Sequence, residues 1–242
     1  MTELLHSLKQ FNWLEITGLS LIINVGIYLG SLGLYSLLNR LGSAKPLGEK
    51  HAITTSDFTL SFITIGCNAI VFILGVYMWK FGIIQLSVST VWFEVVLEVV
   101  LLTVLMDILM YAFHRLVHEL RMLNKLHARH HTHVSTNLLS LFVLHPVESI
   151  GFGLMMLVVI SIIPFSAPGI SFYLLINSVW GTIGHLNVTV LPDSWLKLLK
   201  KTQICTSEFH YLHHKEQEYN FGFYFSVWDR LLGTLHPKLK NS

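Results

Sequence analysis

The sequence predicts an all-α membrane protein with about four to five transmembrane helices, two of them a proline-broken hairpin, and a cytosolic histidine-rich helical cap. Three observations carry that prediction. Of 242 residues, 52% are hydrophobic and only 12% charged, where a soluble domain has about a quarter charged. Several uncharged runs reach the ~20 residues that a helix needs to cross a bilayer. Most of the 14 histidines fall in short boxes beyond the ends of those runs.

Residues 1–17 contain Glu3, Lys9 and Glu15, with Trp13 placed as an interfacial anchor. The first apolar run is long and starts late, so no cleavable signal peptide is expected. Gly18 to Leu38 is the first uncharged span. Its Gly26-x-x-x-Gly30 fits a close helix-packing face, although ordinary packing accounts for glycines in such a span. Phe58 to Trp79 is the second span, and the third begins near Val91 and continues past Tyr111. Glu94 and Glu98, in the first turns of the third, are expected at the far interface rather than in a polar cavity.

Ser149 to Gly184 also carries no charge. A single helix of that length would be about 54 Å long, too long for a ~30 Å hydrocarbon core. Pro164 and Pro168-Gly169 break it near the middle, so a hairpin of two helices is expected. Each helix is either somewhat short or starts earlier, near Leu138. The hairpin returns the chain to the side it left, which brings His185 there. Arg40, Lys45, Lys50, Arg115, Arg121, Lys125, Arg129 and most C-terminal lysines share that side. Positive-inside bias makes it cytosolic and, with five spans, puts the N-terminus outside.

Asp107 to His131 holds His114-x-x-x-His118 and His127-x-x-His130-His131. On a helix, positions i, i+3, i+4 and i+7 share a face. His114 and His118 are therefore neighbours, with Tyr111 and Asp107 extending their face, and His127, His130 and His131 share another. A third box, His210-x-x-His213-His214, follows in the polar tail. With His185 these make nine imidazoles on one membrane face, more than one metal requires. They suit two metals with several nitrogen ligands each. Imidazole accepts Zn, Cu, Fe or Ni, so the donor type does not name the metal. Cys67 and Cys205 offer neither a disulfide framework nor a cysteine zinc site. A net charge of +2, with no basic patch among aromatics, argues against nucleic acid.

These motifs resemble the fatty acid hydroxylase/sterol desaturase superfamily. The resemblance rests on His114-Arg115-x-x-His118, His127-x-x-His130-His131, Gly184-His185-x-Asn187, Phe209-His210-x-x-His213-His214 and a tail running from Asn220-Phe221-Gly222 to Trp228-Asp229-Arg230-Leu231-Leu232-Gly233-Thr234. It spans about 104–237 and divides the chain into N-terminal membrane helices (1–90) and a catalytic domain (91–242). It implies a membrane non-haem di-iron oxidoreductase that uses O2 and external electrons to hydroxylate or desaturate a lipid, whether sterol, fatty acyl or related. The implied metal ligands are His114, His118, His127, His130, His131, His185, His210, His213 and His214. Two iron ions are the implied cofactor, with zinc an alternative occupant in a purified sample. The implied electron donor is separate: cytochrome b5, ferredoxin or a similar reductase system. Many members read His-Ser-Asn where this chain has His185-Leu186-Asn187, a difference expected near the metals or the substrate.

Asp107 and Tyr111 read either as groups that orient the ligands or as a polar pair in helix packing, and the resemblance adds His145 (of His-Pro-x-Glu) and Asn187 as further candidates beside the ligands. His133 is roughly 240° from His127 on a helix and is left out. His6, His51 and His236 read as surface or interfacial histidines. Phe221, Phe223, Tyr224, Phe225 and Trp228 fit either a lipid entrance or packing, and Arg115, Arg121, Arg129 and Arg230 are expected at headgroups or in structural roles. The competing function is a metal-binding membrane transporter or sensor without oxygenase activity, which would hold its histidines at mid-membrane depth; a relative without activity is a third. Lys238-Leu239-Lys240 matches a dilysine-type retrieval signal, and a bacterial inner membrane or an ER membrane is equally expected.

Overall fold

The computed structural model describes residues 2–41, 45–87 and 91–240. After a short amphipathic α1 (Thr2–Gln10), α2 (Trp13–Asn39) starts at Asn12, whose side chain accepts from the Leu14 and Glu15 amides while Glu15 reaches back to the Asn12 amide. α3 (Thr55–Lys80) starts in the same way on Thr54 and Asp57. Such reciprocal caps satisfy donors that the first helical turn leaves open. α4 (Trp92–Glu119) is the longest helix. These three are long and apolar enough to cross a membrane, so the chain is a membrane protein.

The predicted hairpin is present as α6 (Pro146–Ile162) and α7 (Ala167–Gly184). Its first helix starts at Pro146 and not near Leu138, because a 3-10 turn (Ser140–Phe142) occupies the intervening chain. Both helices are short, yet they run the height of the bundle. Their turn, β3 (Phe165–Ser166), pairs with β2 (Leu86–Ser87) in the loop joining α3 to α4. At the opposite end β1 (Lys45–Pro46), just past α2, pairs with β4 (Val188–Thr189), just past α7. The Lys80 ammonium donates to the Phe11 carbonyl at 2.7 Å, placing the start of α2 at the β2–β3 end.

The main core lies among α3, α4, α6 and α7, on Leu102, Met106, Leu157, Phe165 and Tyr173. Close approach is not made through Gly26 and Gly30, where an added Cβ would meet nothing within 4 Å. It is made between α3 and α6, where a Cβ on Gly153 would lie 2.6 Å from Val71 and one on Gly75 2.8 Å from Leu157. Glu98 sits at the β2–β3 end. It accepts from the hydroxyls of Ser87 and Ser166 and from the Ser166 amide, tying the two strands to α4.

At the β1–β4 end, Leu120 adopts extended backbone (φ −85, ψ 110) and breaks the helical path, so α5 (Arg121–His131) leaves α4 at an angle. α8 (Asp193–Lys201), α9 (Ser207–Lys215), α10 (Val227–Leu231) and α11 (Pro237–Lys240) complete this cap. Cys67 and Cys205 are buried free thiols.

Candidate metal centre

The nine histidines read from the sequence converge at the cap end of the bundle and separate into two groups. His114, His118, His127, His131 and His213 form one; His130, His185, His210 and His214 form the other. Within each group one ring nitrogen per residue lies within 4.8 Å of all the rest. Helix geometry explains the division. In α5 the i, i+4 pair His127 and His131 joins the first group while His130 joins the second. In α9 the pattern is exchanged: His210 and His214 join the second group and His213 the first. Each His-x-x-His-His box therefore serves both groups, and its three histidines do not act on a single face.

Hydrogen bonds fix the rings. His114 Nδ1 meets the Phe221 carbonyl at 3.0 Å, His130 Nδ1 the Val143 carbonyl at 3.2 Å, His185 Nδ1 the Gly181 carbonyl at 2.8 Å and His213 Nδ1 the Tyr219 carbonyl at 2.7 Å. A carbonyl only accepts, so each Nδ1 carries the proton and each neutral ring turns the lone pair on Nε2 inward. His127 Nδ1 is held by the Glu148 carboxylate.

Some of the inward nitrogens have no protein partner that could satisfy them. Nε2 of His127 and of His213 are buried without a hydrogen bond. His130 Nε2 and His185 Nε2 face each other at 3.3 Å although both protons are committed to carbonyls on the other side of the rings. His185 to His210 is 3.1 Å, His210 to His214 3.0 Å and His118 to His131 3.2 Å, all between Nε2 atoms. The facing lone pairs of His130 and His185 are stable around a cation, and the donors present fit one in each group.

The electrostatics favour neutral donors. Burial first, then neighbouring imidazoles, holds His130, His210, His213 and His214 well below the ordinary histidine pKa. Burial lowers His131 to about 2 and His185 to about 4.

The residues expected to orient the ligands act differently from expectation. His145 caps α6, its Nδ1 accepting from the Val147 amide, and its side chain is spent there. The residue of His-Pro-x-Glu that reaches a ring is Glu148, three residues later, steadied by the His145 amide at 3.1 Å. Among the described residues, Asp107 hydrogen-bonds to no imidazole. It accepts from the Tyr224 and Phe225 amides and from the Trp228 indole, gathering the tail against α4. Tyr111 meets the Thr234 hydroxyl at 2.9 Å and likewise supports the tail. Asn187 donates to the Gly48 carbonyl and fastens the β1 loop.

Asp229, missed from the sequence, is fully buried. It accepts from the Phe221 and Gly222 amides and from Thr234 Oγ1, fixing the peptide whose carbonyl holds His114. Burial pushes its carboxyl up to about 6. Asn220 is in the left-handed region (φ 62), which asparagine tolerates better than most residues. Its side chain holds the Phe209 carbonyl and the His236 amide.

His133 is outside both groups, although not for the helical angle read from the sequence, because α5 ends at His131 and His133 lies beyond its cap. It is buried with Nε2 3.2 Å from Asp57 and Nδ1 2.7 Å from the Ser140 hydroxyl. Arg129 also binds Asp57, so its role is structural. His51 and His236 correct the surface expectation. His51 is half-buried and stacked on His133; His236 is buried 3.1 Å from Glu216 because the tail folds back over it. Phe221 packs against His114, His118 and His213. Beside the second group a narrow cleft is lined by Trp180, His185, Cys205, Phe209, His210 and Phe223, among others.

Residues 99–234, more than half of the chain, match the fatty acid hydroxylase family. The chain belongs to the fatty acid hydroxylase family. Similar proteins include Protein CER1-like 2 of Arabidopsis thaliana, 29% identical over 131 residues, which are 51% of this chain and 21% of that protein. Very-long-chain aldehyde decarbonylase GL1-4 of Oryza sativa subsp. indica is 28% identical, with 52% and 21% covered. Lathosterol oxidase of Homo sapiens is 27% identical over 147 residues, with 59% and 46% covered. The match thus takes in about a fifth of the plant proteins and under half of the human one. No solved structure matches.

Proposed function

We propose that this family member is a membrane di-iron oxidoreductase that uses O2 and electrons from a separate donor to hydroxylate or desaturate a lipid. The observation that carries the reading is the pair of inward-facing Nε2 groups, above all His130 and His185, whose outward protons are committed to carbonyls. Family membership favours iron among the metals that a nitrogen donor set accepts. Iron bound there would activate O2, the oxidant, for attack on an unactivated C–H bond.

The side chains have a narrower role, which is to hold, orient and keep dry. Glu148 and the carbonyls of Val143, Gly181, Tyr219 and Phe221 set the tautomers and ring angles. Phe221 packs against three rings of the five-histidine group, and Trp180, Phe209 and Phe223 put apolar side chains beside His185 and His210. The relatives' names, aldehyde decarbonylase and lathosterol oxidase, favour an aliphatic or sterol lipid. The transporter or sensor reading fits less well, because the histidines gather at helix ends.

In this reading five helices cross the bilayer, the hairpin included, with the histidine end cytosolic. Lipid extracts of a host with and without the expressed gene, compared by mass spectrometry, test the function. Gain of one oxygen indicates hydroxylation and loss of two hydrogens desaturation. An unchanged lipid profile, with purified protein that binds iron and yet consumes no O2 with reductant, would overturn it.

A further inference from the structure

α8 has an unusual position for a helix of the cap. It buries none of its residues. Trp195 is 57% exposed and Leu198 48%, and Leu191, just ahead of the helix, is 41% exposed. At ~100° per residue, Trp195 and Leu198 lie about 60° apart, forming an apolar edge, while Lys197 and Lys201 lie about 40° apart on the adjoining arc. Both lysines are exposed. The third, Lys200, turns inward to Glu208 at 3.1 Å.

The height of the helix in the molecule is fixed. The Lys45 ammonium binds Asp193, the first residue of α8, at 3.0 Å. Lys45 itself pairs with Thr189 in the ladder just beyond the ends of α2 and α7. α8 thus starts level with the ends of membrane helices, where hydrocarbon gives way to headgroups. An apolar edge beside a cationic arc at that level matches a helix lying in the interface plane.

We propose that α8 is a membrane-surface helix, Trp195 and Leu198 inserted among acyl chains and Lys197 and Lys201 on anionic headgroups of the histidine-side leaflet. The helix ends beside the cleft: the Gln203 carbonyl accepts from the Ser226 amide, and the Cys205 amide donates to the Tyr224 carbonyl. Anchoring it therefore holds the Cys205–Phe209 wall at the level from which a lipid would enter. A soluble acidic electron donor is the competing occupant. It is disfavoured because Trp195 and Leu198, with Leu191 just ahead of the helix, put bulky apolar side chains in the open beside the lysines.

The test uses the full chain in nanodiscs of neutral phosphatidylcholine, alone or mixed with anionic phosphatidylglycerol. Spin labels are placed by Leu198→Cys or Lys201→Cys, the native thiols Cys67 and Cys205 being buried. The label at 198 is expected to show a several-fold higher ratio of collisions with O2 to collisions with a water-soluble nickel chelate than the label at 201. It should sink deeper with anionic lipid, and Lys197→Gln with Lys201→Gln should abolish that dependence. Equal water exposure at 198 and 201 in both lipid mixtures would overturn the proposal. So would protection of 198 seen only when a soluble acidic electron-transfer protein is added. Neither outcome depends on the proposed chemistry, since metal content and turnover do not enter the readout.

Discussion

The Glu148 carboxylate grips Nδ1 of His127, and that contact aims the opposite nitrogen of the ring into the five-histidine group, where it has no protein partner. Both residues are almost completely buried. A carboxylate behind a ligating imidazole fixes its tautomer and raises its basicity, and removing such a partner typically costs ~10–100-fold in metal affinity. Glu148→Ala should weaken iron binding by about that factor at one of two sites. Glu148→Gln, which still accepts through its amide oxygen, should lose less. Iron titrated into metal-stripped protein checks this, and wild-type affinity in the alanine variant would refute it.

Loss of a ligand from each group separates the two proposed metals. His213→Ala removes a donor from the five-membered group and His130→Ala one from the four-membered group. The smaller group has less redundancy, so His130→Ala should reduce iron content further, towards one ion per chain. Both variants should abolish turnover while still inserting in the membrane. Elemental analysis with an insertion assay reads the outcome, and full activity in either variant would sink the assignment.

How much of this site is legible in the sequence follows from where its information lies. The three histidine boxes announce themselves because imidazoles at i and i+4 must be neighbours on a helix. Which group each joins is not local: it depends on α5 and α9 meeting so that His130 leaves its own pair and His213 leaves its own. His-Pro-x-Glu points to His145, yet an N-cap consumes that ring and leaves Glu148 to orient His127. Four orienting groups are backbone carbonyls, which any residue type supplies, so no sequence pattern marks them. The spans are legible from charge alone. The height of the hairpin is settled only by the pairing of Phe165 and Ser166 with Leu86 and Ser87.

Gly222 is the tightest point of the tail. An added Cβ would lie 2.5 Å from the Phe225 carbonyl oxygen and 2.8 Å from Asp229 Oδ2. The first is backbone and cannot swing away. Gly222→Ala should therefore destabilise the cap by ~1–3 kcal/mol, the usual range for overpacking. It should also loosen the Phe221 carbonyl behind His114, so iron release should quicken together with the loss of thermal stability. Asp229→Asn keeps the shape but puts an amide donor in place of one of two oxygens that each accept from a backbone amide, and it should act in the same direction. Chelator-driven iron release, followed optically, measures both; unchanged release rates would separate the tail from the metal site.

The same histidines should make the metal-free protein sensitive to acid. Ordinary imidazole titrates near 6.5, but in the folded chain His185 is held at about 4 and His131 at about 2. Below about pH 6.5 the unfolded chain takes up protons that the folded chain refuses. Stability is therefore fully present above that pH and falls as pH drops, until about 4 for His185 and about 2 for His131. Each such group adds up to ~1.4 kcal/mol per pH unit to the slope. His130, His210, His213 and His214, lowered by the same burial, steepen it further. The thermal midpoint of metal-stripped protein in detergent should be clearly lower at about pH 5 than at about pH 7.5. Replacing His131 with Gln should flatten the dependence, because one buried group that resists protonation is gone. A midpoint independent of pH across that interval would mean that the imidazoles are already protonated or reached by water, and the neutral-donor account of both groups would fail with it.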